Sequence, residues 1–527
     1  MAFIKRSVSF CVALFITFAL GIRASADYKF NMSYIYFGTS SGYTTLVDAT
    51  QNALNEVAPN YFNLDANGNL VITNAVNQGF VDDMHARGIR VAPYLTNDWD
   101  REIGINALSD IQTLATDLKT AIETYNLDGV NVDLENLTEY QRAGYVDFVR
   151  LLREILPAEK TIAVAVAANP HGYNTGWQGS YDYTGLAAYC DYLMIMAYDE
   201  SYYGSKPGPV ASYTFIENSI KYALGHIAPD KIVLGLPFYG RIWADSGAYP
   251  KGFGVSNTRV DQYVAKYSGS VTYDSASRSA RANITVKPSD VKPVVGGKVL
   301  ASGTYTIWYE NEQSLKSKLT LVEKYNLKGA GSWSLGQEPV NTWDYYKLWL
   351  NGCTFDDVQE SWAKDYILSA YKNEWVNGVS DDNFLPEANL SRAQAAAMLV
   401  RRLGLSVEAN AEYCFNDTAG SWAEGYINTA RKHQIISGVG NNQFEPDKPV
   451  TREEIAVMLN NILGYECQEV SGIFHDISNA FNPWSYEAIH ALSKNAVITG
   501  YSDGSYRPQS NVTRAEMTTL MYRIENV

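Results

Sequence analysis

Residues Asp128 to Asn136 read DGVNVDLEN, and the way this stretch sits in a sheet decides the fold. On a β-strand, alternate side chains point to opposite faces, so Val130, Val132 and Leu134 share one face and Asn131, Asp133 and Glu135 the other. One face is wholly apolar and the other wholly polar. An amphipathic edge strand would alternate in the same way, but the flanks argue against one. Ile111 to Tyr125 and Tyr140 to Leu156 both carry helical apolar spacing, which sets the strand between two helices as in a βαβ unit. A parallel strand covered by helices has no water-facing side. Its carboxylates can then open only into a barrel mouth or a cleft at the strand's C-terminal end.

On either side of this stretch, from Asp27 to about Leu350, strand-like runs alternate with helical ones. The strand candidates are Met32–Phe37, Tyr61–Leu64, Ile89–Tyr94, Gly129–Glu135, Thr161–Ala167, Tyr192–Tyr198, Ile232–Tyr239 and Ala330–Leu335. Eight strands with intervening helices predict an α/β fold, a (β/α)8 barrel over residues 27–350. Between the seventh and eighth strands, residues 242–309 contain alternating runs such as Ser270–Tyr273 and Thr304–Tyr309. A small inserted α+β subdomain there would raise one wall of the cleft.

At 527 residues the chain is too long for a single core. A hydrophobic share of 46% with 19% charged residues excludes general disorder. The 38 Tyr and 11 Trp suit stacking on sugar rings as well as core filling. Residues 1–26 combine Lys5 and Arg6, an apolar run from Val8 to Ile22 and a terminal Ala24-Ser25-Ala26, the pattern of a secretory signal peptide cleaved after Ala26. Losing Lys5, Arg6 and Arg23 with no acid takes the net charge from -15 to -18. Nonspecific binding to nucleic acid or anionic membrane is therefore excluded, and no later stretch is apolar enough to span a bilayer. Cys190, Cys353, Cys414 and Cys467 are too few and too scattered for a disulfide framework or a zinc site, and Cys190 reads as core filler. No metal and no cofactor is expected.

After Leu350 the sequence repeats. SWAKDYI, SWAEGYI and PWSYEAI place Trp362, Trp422 and Trp484 about 60 residues apart. NFLPE, QFEPD and SYRPQ follow in phase, and then SRAQ, TREE and TRAE, which place Arg392, Arg452 and Arg514. In each unit a helix follows the Trp, and Ser391, Thr451 or Thr513 caps a second helix. This mainly helical pattern resembles the S-layer homology domain, with repeats at 353–408, 414–467 and 472–527. The resemblance implies attachment to a pyruvylated secondary polymer of a Gram-positive cell wall, with Arg392, Arg452 and Arg514 reading anionic groups beside Trp362, Trp422 and Trp484. Only the third repeat has TRAE intact.

Spacing makes the opening stretch chemically specific. Asp133 and Glu135 lie two apart on one face, within roughly 7 Å of each other. Like charges that close raise the pKa of one partner, which makes a protonated acid beside a carboxylate feasible near neutral pH. The stretch resembles the DxxDxDxE signature of glycoside hydrolase family 18, written here as Asp128, Asn131, Asp133 and Glu135. MAYDE with Tyr198 and Asp199, GLPFYGRIW with Tyr239 and Arg241, and GSWSL with Trp333 agree with it.

What the resemblance implies is substrate-assisted retention, in which the 2-acetamido carbonyl of the sugar attacks the anomeric carbon. Glu135 would protonate the leaving oxygen, Asp133 would orient the acetamido group and stabilise the oxazolinium ion, and Tyr198 would hydrogen-bond the same group. Trp333 would form the floor under the cleaved sugar, with Tyr239 and Arg241 lining the cleft. Asn131 departs from the aspartate common in chitinases, and an amide there should keep Asp133 more firmly ionised. Asn131 and the YDE run are closer to the spore-cortex and peptidoglycan N-acetylglucosaminidase branch. The implied protein is secreted to the cell wall or S-layer and cleaves β-linked N-acetylglucosamine glycan, with peptidoglycan the expected substrate. A surface-displayed chitinase and a catalytically silent glycan-binding protein are the competing readings.

Overall fold

The computed structural model describes residues 28–408, 414–467 and 472–524, so the signal-like segment 1–26 lies outside the described residues. The chain divides into two compact units, Tyr28–Glu360 and Ser361–Val527. Among the described residues no helix is long and apolar enough to cross a membrane.

The first unit is a closed ring of eight parallel strands. They are Phe30–Ile35, Glu56–Pro59, a third in two pieces (Arg90–Val91 and Tyr94–Thr96), Gly129–Asp133, Thr161–Ala167, Tyr192–Met196, Ile232–Pro237 and Gly329–Trp333. Each pairs with the next, and the first pairs with the eighth. The third pairs through its first piece with the second strand and through its second piece with the fourth. Its break falls at Pro93, which has no N–H to donate, while the Pro93 carbonyl still accepts from the Asn131 N–H at 2.9 Å.

The second strand is a correction. Tyr61–Leu64 was the expected position, but Glu56–Pro59 pairs with the first strand, and Phe62–Leu64 instead forms a hairpin with Leu70–Ile72 that joins the third strand. EVAP begins with an acid and ends with proline, both poor strand formers, and burial on all four positions together with pairing on both sides holds it there.

Inside the ring, Tyr34, Tyr94 and Tyr192 alternate with Ala58, Ala163 and Ala165, so large and small side chains from neighbouring strands interdigitate. The fourth strand starts at Gly129 for a steric reason: a Cβ there would lie 1.9 Å from the Thr161 carbonyl oxygen. That close approach sets the register of the strand carrying the acidic face.

The insertion is a five-stranded antiparallel sheet in the order Lys251–Ser256, Tyr239–Ala244, Gly303–Tyr309, Ser279–Val286, Ser270–Asp274. Helix Asn257–Lys266 packs on it around Val260 and Tyr263. The sheet begins at Tyr239, three residues before the expected start, so Tyr239 and Arg241 stand on its first strand.

In the second unit the three repeats close a ring of their own. The Leu390 N–H donates to the Val512 carbonyl (2.8 Å), Val512 to Val450 (3.0 Å) and Val450 to Leu390 (2.9 Å). Each repeat has a helix after its Trp (Lys364–Lys372, Glu424–Lys432, Tyr486–Lys494) and a second, capped helix (Arg392–Arg402, Arg452–Leu463, Arg514–Arg523). Ser391, Thr451 and Thr513 cap the second helices reciprocally with Gln394, Glu454 and Glu516, each box worth about 1 kcal/mol.

Candidate active site

The acidic face of the fourth strand opens at the barrel mouth. Asn131 and Asp133 are buried on the strand, and Glu135 is half-buried just past its end. The Tyr34 hydroxyl donates to Asn131 Oδ1 at 3.2 Å. Two polar atoms beside it, Asn131 Nδ2 and Asp133 Oδ1, are buried without a hydrogen-bond partner among the described residues. An orphaned donor and an orphaned acceptor on one face beside two carboxyls single this face out as the candidate site.

Across the mouth, Tyr198 follows the sixth strand and packs edge-on against Tyr239, with ring centroids 6.1 Å apart. Asp199 sits beyond it with a φ of +59°, a left-handed conformation that aspartate tolerates better than most residues. Its Oδ1 accepts from the Tyr239 hydroxyl at 2.6 Å and from Arg241 at 2.7 and 3.0 Å. The inserted sheet thus ties down the loop that carries Tyr198. Trp333, at the end of the eighth strand, is partly buried against Tyr34, Tyr36 and Tyr94, with centroids 5.1, 5.5 and 5.9 Å away. Glu135, Asp133, Asn131, Tyr198, Asp199, Tyr239, Arg241 and Trp333 all belong to this one mouth.

Electrostatics divide the two carboxyls. Burial raises Asp133 to about 7. Burial also raises Glu135 well above the ordinary carboxylate range, and the charges of Asp133 and Asp199 add to that rise. Of the two, Glu135 is the carboxyl whose protonated form burial and neighbouring negative charge favour together. Asp133 is 4% exposed, and the loss of water around its carboxylate is what raises it, while the neutral Asn131 amide beside it brings no second negative charge to the strand.

Asp128 is the other correction. It begins the strand that Glu135 ends, and at about 3.3 Å per residue the two lie on the order of 20 Å apart. At the opposite end of the barrel its Oδ2 accepts from the Val91 N–H and meets His85 Nε2, both at 2.7 Å. Adjacent letters in a motif do not share a site when a strand runs between them.

Asn97, in the loop after the third strand, escaped the sequence reading. Its Oδ1 accepts from the Glu135 N–H at 2.8 Å and its Nδ2 donates to the Glu135 carbonyl at 2.9 Å. Both peptide groups of the acid are held by one buried amide, and Arg101 and Asn136 stitch the same two segments together. Nothing in a lone Asn on a loop announces such a clamp, since its partners are set by the tertiary fold.

The repeat arginines do not face outward from their own units. Arg392 donates to the Phe444 and Ser437 carbonyls of the second repeat, Arg452 to Tyr506 and Thr499 of the third, and Arg514 to Phe384 and Asn377 of the first. Grooves form where they cross. One is lined by Arg514, Gln394 and Trp422, another by Arg452, Glu516 and Trp362, so three repeats contribute to each. Trp362, Trp422 and Trp484 are 59, 62 and 55% exposed, which is unusual for tryptophan and leaves three equivalent aromatic faces to solvent.

The sequence profile described as Glycosyl hydrolases family 18 matches residues 34–338, more than half of the chain. The chain belongs to this family. The S-layer homology domain matches three times, at 354–396, 415–456 and 474–518, so the family 18 barrel is followed by three such repeats. Among curated relatives, the cortical fragment-lytic enzyme of Bacillus subtilis is 24% identical over 279 residues, 52% of this chain and 58% of that one. The sporulation-specific glycosylase YdhD of the same organism is 27% identical over 267 residues, 50% of this chain and 56% of its own length. The chain thus spans a little over half the length of these two relatives. A chitinase from Chromobacterium violaceum matches the structure with a TM-score of 0.54 at 25% identity, covering 61% of this chain and 99% of that one. The Bacillus cereus spore cortex-lytic enzyme SleL shares the fold, with a TM-score of 0.54 at 19% identity over 62% of this chain and 75% of its own.

Because Asn97 holds only the backbone of Glu135, its loss should misplace the acid without emptying the sugar site. For Asn97→Ala in this family 18 barrel, steady-state kinetics should show kcat reduced about 100-fold, as misplacement by an ångström does, with KM changed by less than about twofold. A raised KM with kcat unchanged would instead assign Asn97 to substrate binding.

Proposed function

We propose that this protein is a secreted, wall-attached β-N-acetylglucosaminidase that cleaves peptidoglycan by substrate-assisted retention. The observation that carries the reading is the burial of Asp133. With 4% exposure behind Glu135, it can accept a hydrogen bond from an acetamido N–H but offers no carboxylate for attack on the anomeric carbon. Asp199 is held by Tyr239 and Arg241 and is no nucleophile either. The attacking oxygen then comes from the substrate's own acetamido carbonyl.

The steps follow from the side chains present. Glu135, protonated at neutral pH, gives its proton to the glycosidic oxygen as the bond breaks. Asp133, Asn131 and Tyr198 surround the acetamido group, with the orphaned Asp133 Oδ1 receiving its N–H and the ionised carboxylate balancing the positive charge of the oxazolinium ion. Trp333 lies flat beneath the sugar. Glu135 then takes a proton from the water that opens the ring, restoring the β-anomer.

Peptidoglycan is favoured over chitin by the three S-layer homology repeats on the same chain and by relatives named for cortex lysis. The grooves with Arg392, Arg452, Arg514 and the three tryptophans hold an anionic wall polymer, which keeps the barrel beside its substrate.

The active form pairs ionised Asp133 with protonated Glu135. The pH profile of kcat/KM should therefore be bell-shaped, falling on the acid side as Asp133 gains a proton near pH 7 and on the alkaline side as Glu135 loses one. A maximum near pH 4 would contradict this assignment.

Glu135→Gln should lower hydrolysis of purified peptidoglycan by at least about 1,000-fold while sedimentation with walls is unchanged. Mass spectrometry of wild-type digests should show fragments ending in reducing N-acetylglucosamine. Turnover confined to chitin oligomers would replace peptidoglycan with chitin.

A further inference from the structure

The first helices of the three repeats align residue for residue, and their fifth position is occupied by Leu368, Asn428 and His490. Each of the three is 1% exposed. This is a core position, and leucine is what such a position ordinarily takes. Asparagine suits it in part, donating from Nδ2 to Cys414 Sγ at 3.3 Å while Oδ1 has no partner. Histidine suits it least. Neither ring nitrogen of His490 has a hydrogen-bond partner among the described residues. A neutral imidazole has one donor and one acceptor, so the third repeat carries two unsatisfied polar atoms where the first carries a leucine.

The imidazole lies between two rings. Tyr486, one turn back on the same helix, meets it edge-on with centroids 4.5 Å apart, and Phe474 stacks on it at 6.5 Å. The charged groups of the surrounding segments are exposed or engaged elsewhere. On its own helix Glu487 and Lys494 are exposed, as is His475 beside Phe474. Cys467, half-buried, lies beside Glu487 and Lys494. Asp476 accepts from the Tyr506 and Arg507 N–H groups. On the second-repeat helix packed against it, Arg452 pairs with Glu516, Glu454 pairs with Arg392, and Glu453 is held by Asn482, Ser485 and Gln509. Arg523 donates to the Val497 carbonyl. None of these carboxylates meets His490, and burial holds the imidazole below its ordinary pKa.

A line of contacts runs from this ring to the joint between the second and third repeats. Phe474 packs on Tyr506 with centroids 5.3 Å apart. The Tyr506 carbonyl accepts from Arg452 Nε at 2.9 Å, and its hydroxyl donates to the Arg452 carbonyl at 3.0 Å. A charged imidazole with no partner must reach water. Leaving its place displaces Phe474 and loosens the Tyr506 side of the joint.

We infer that His490 is an acid-sensitive latch: its protonation opens the third repeat and the joint to the second, so that the repeats let go of the wall at mildly acidic pH. Letting go of the wall rests on the wall-attachment reading above, whereas the latch stands without it. Below about pH 6.5 the unfolded segment binds a proton on this histidine and the folded one does not. The folded repeat therefore loses about tenfold in population, relative to the open form, for each further pH unit until its own lowered pKa is reached.

Hydrogen exchange of the full-length protein, corrected for the intrinsic rate at each pH, tests the latch. Between pH 7.5 and 5.0, protection of residues 486–494 and 500–507 should fall at least about tenfold in wild type. It should stay within about twofold in His490→Leu and in His490→Asn, which place there the residue types of the first and second repeats. Equal loss in the variants, or no loss in wild type, would overturn the latch. Wild type should sediment with purified walls at pH 7.5 and stay in solution at pH 5.0, and His490→Leu should sediment at both. Sedimentation of wild type at pH 5.0 with the helix open would sever the latch from release. Failure of wild type to sediment at pH 7.5 would instead remove the wall-attachment reading, whatever the exchange shows.

Discussion

A carboxyl group at the end of a strand with helices behind it and neighbouring strands beside it cannot be solvated like one at a surface. Placing two on the same face two residues apart compounds the difficulty, because each then raises the energy of ionising the other. Asp133 and Glu135 meet both conditions, and much of the surrounding structure answers to them. Asn97 fixes the backbone of Glu135, Tyr34 and Asn131 stand against Asp133, and the inserted sheet ties Asp199 to Arg241 and Tyr239. The result is a pair of carboxyls in which burial and mutual repulsion favour keeping a proton. Orphaned polar atoms such as Asp133 Oδ1 reduce stability, and a ligand is what would satisfy them.

The repeat unit solves a related problem with the opposite sign. Arg392 and Arg514 are 3 and 7% exposed, so each guanidinium needs acceptors, and each finds main-chain carbonyls in the next repeat. The same bonds close the ring and leave grooves at the Arg452 and Arg514 crossings. Each arginine serves the repeat it enters, which is why the Arg residues of a tandem motif cannot be assessed one repeat at a time.

The barrel was legible because its signals are periodic. Thr161–Ala167 coincides with the observed strand, since TIAVAVA is apolar throughout and has no competing reading. Glu56–Pro59 was hidden by composition, and its neighbour Phe62–Leu64 offered a better pattern. At the site, Glu135, Asp133, Tyr198 and Trp333 were recognisable from motifs at strand ends, where a barrel collects its chemistry. Asp128 was misassigned because a motif records order along the chain and not distance across the barrel. Asn97 and the direction of each repeat arginine depend on contacts between segments 38 to 137 residues apart, which no local pattern encodes.

The central claim is that the nucleophile belongs to the substrate. It is tested most directly by comparing hydrolysis of an N-acetylglucosamine glycan with that of its 2-deacetylated counterpart, while following the anomeric configuration of the first product by NMR. The account predicts β-anomer released first from the acetylated glycan, and a rate at least about 1,000-fold lower when the acetyl group is absent. Comparable cleavage of the deacetylated glycan, or initial release of the α-anomer, would contradict it.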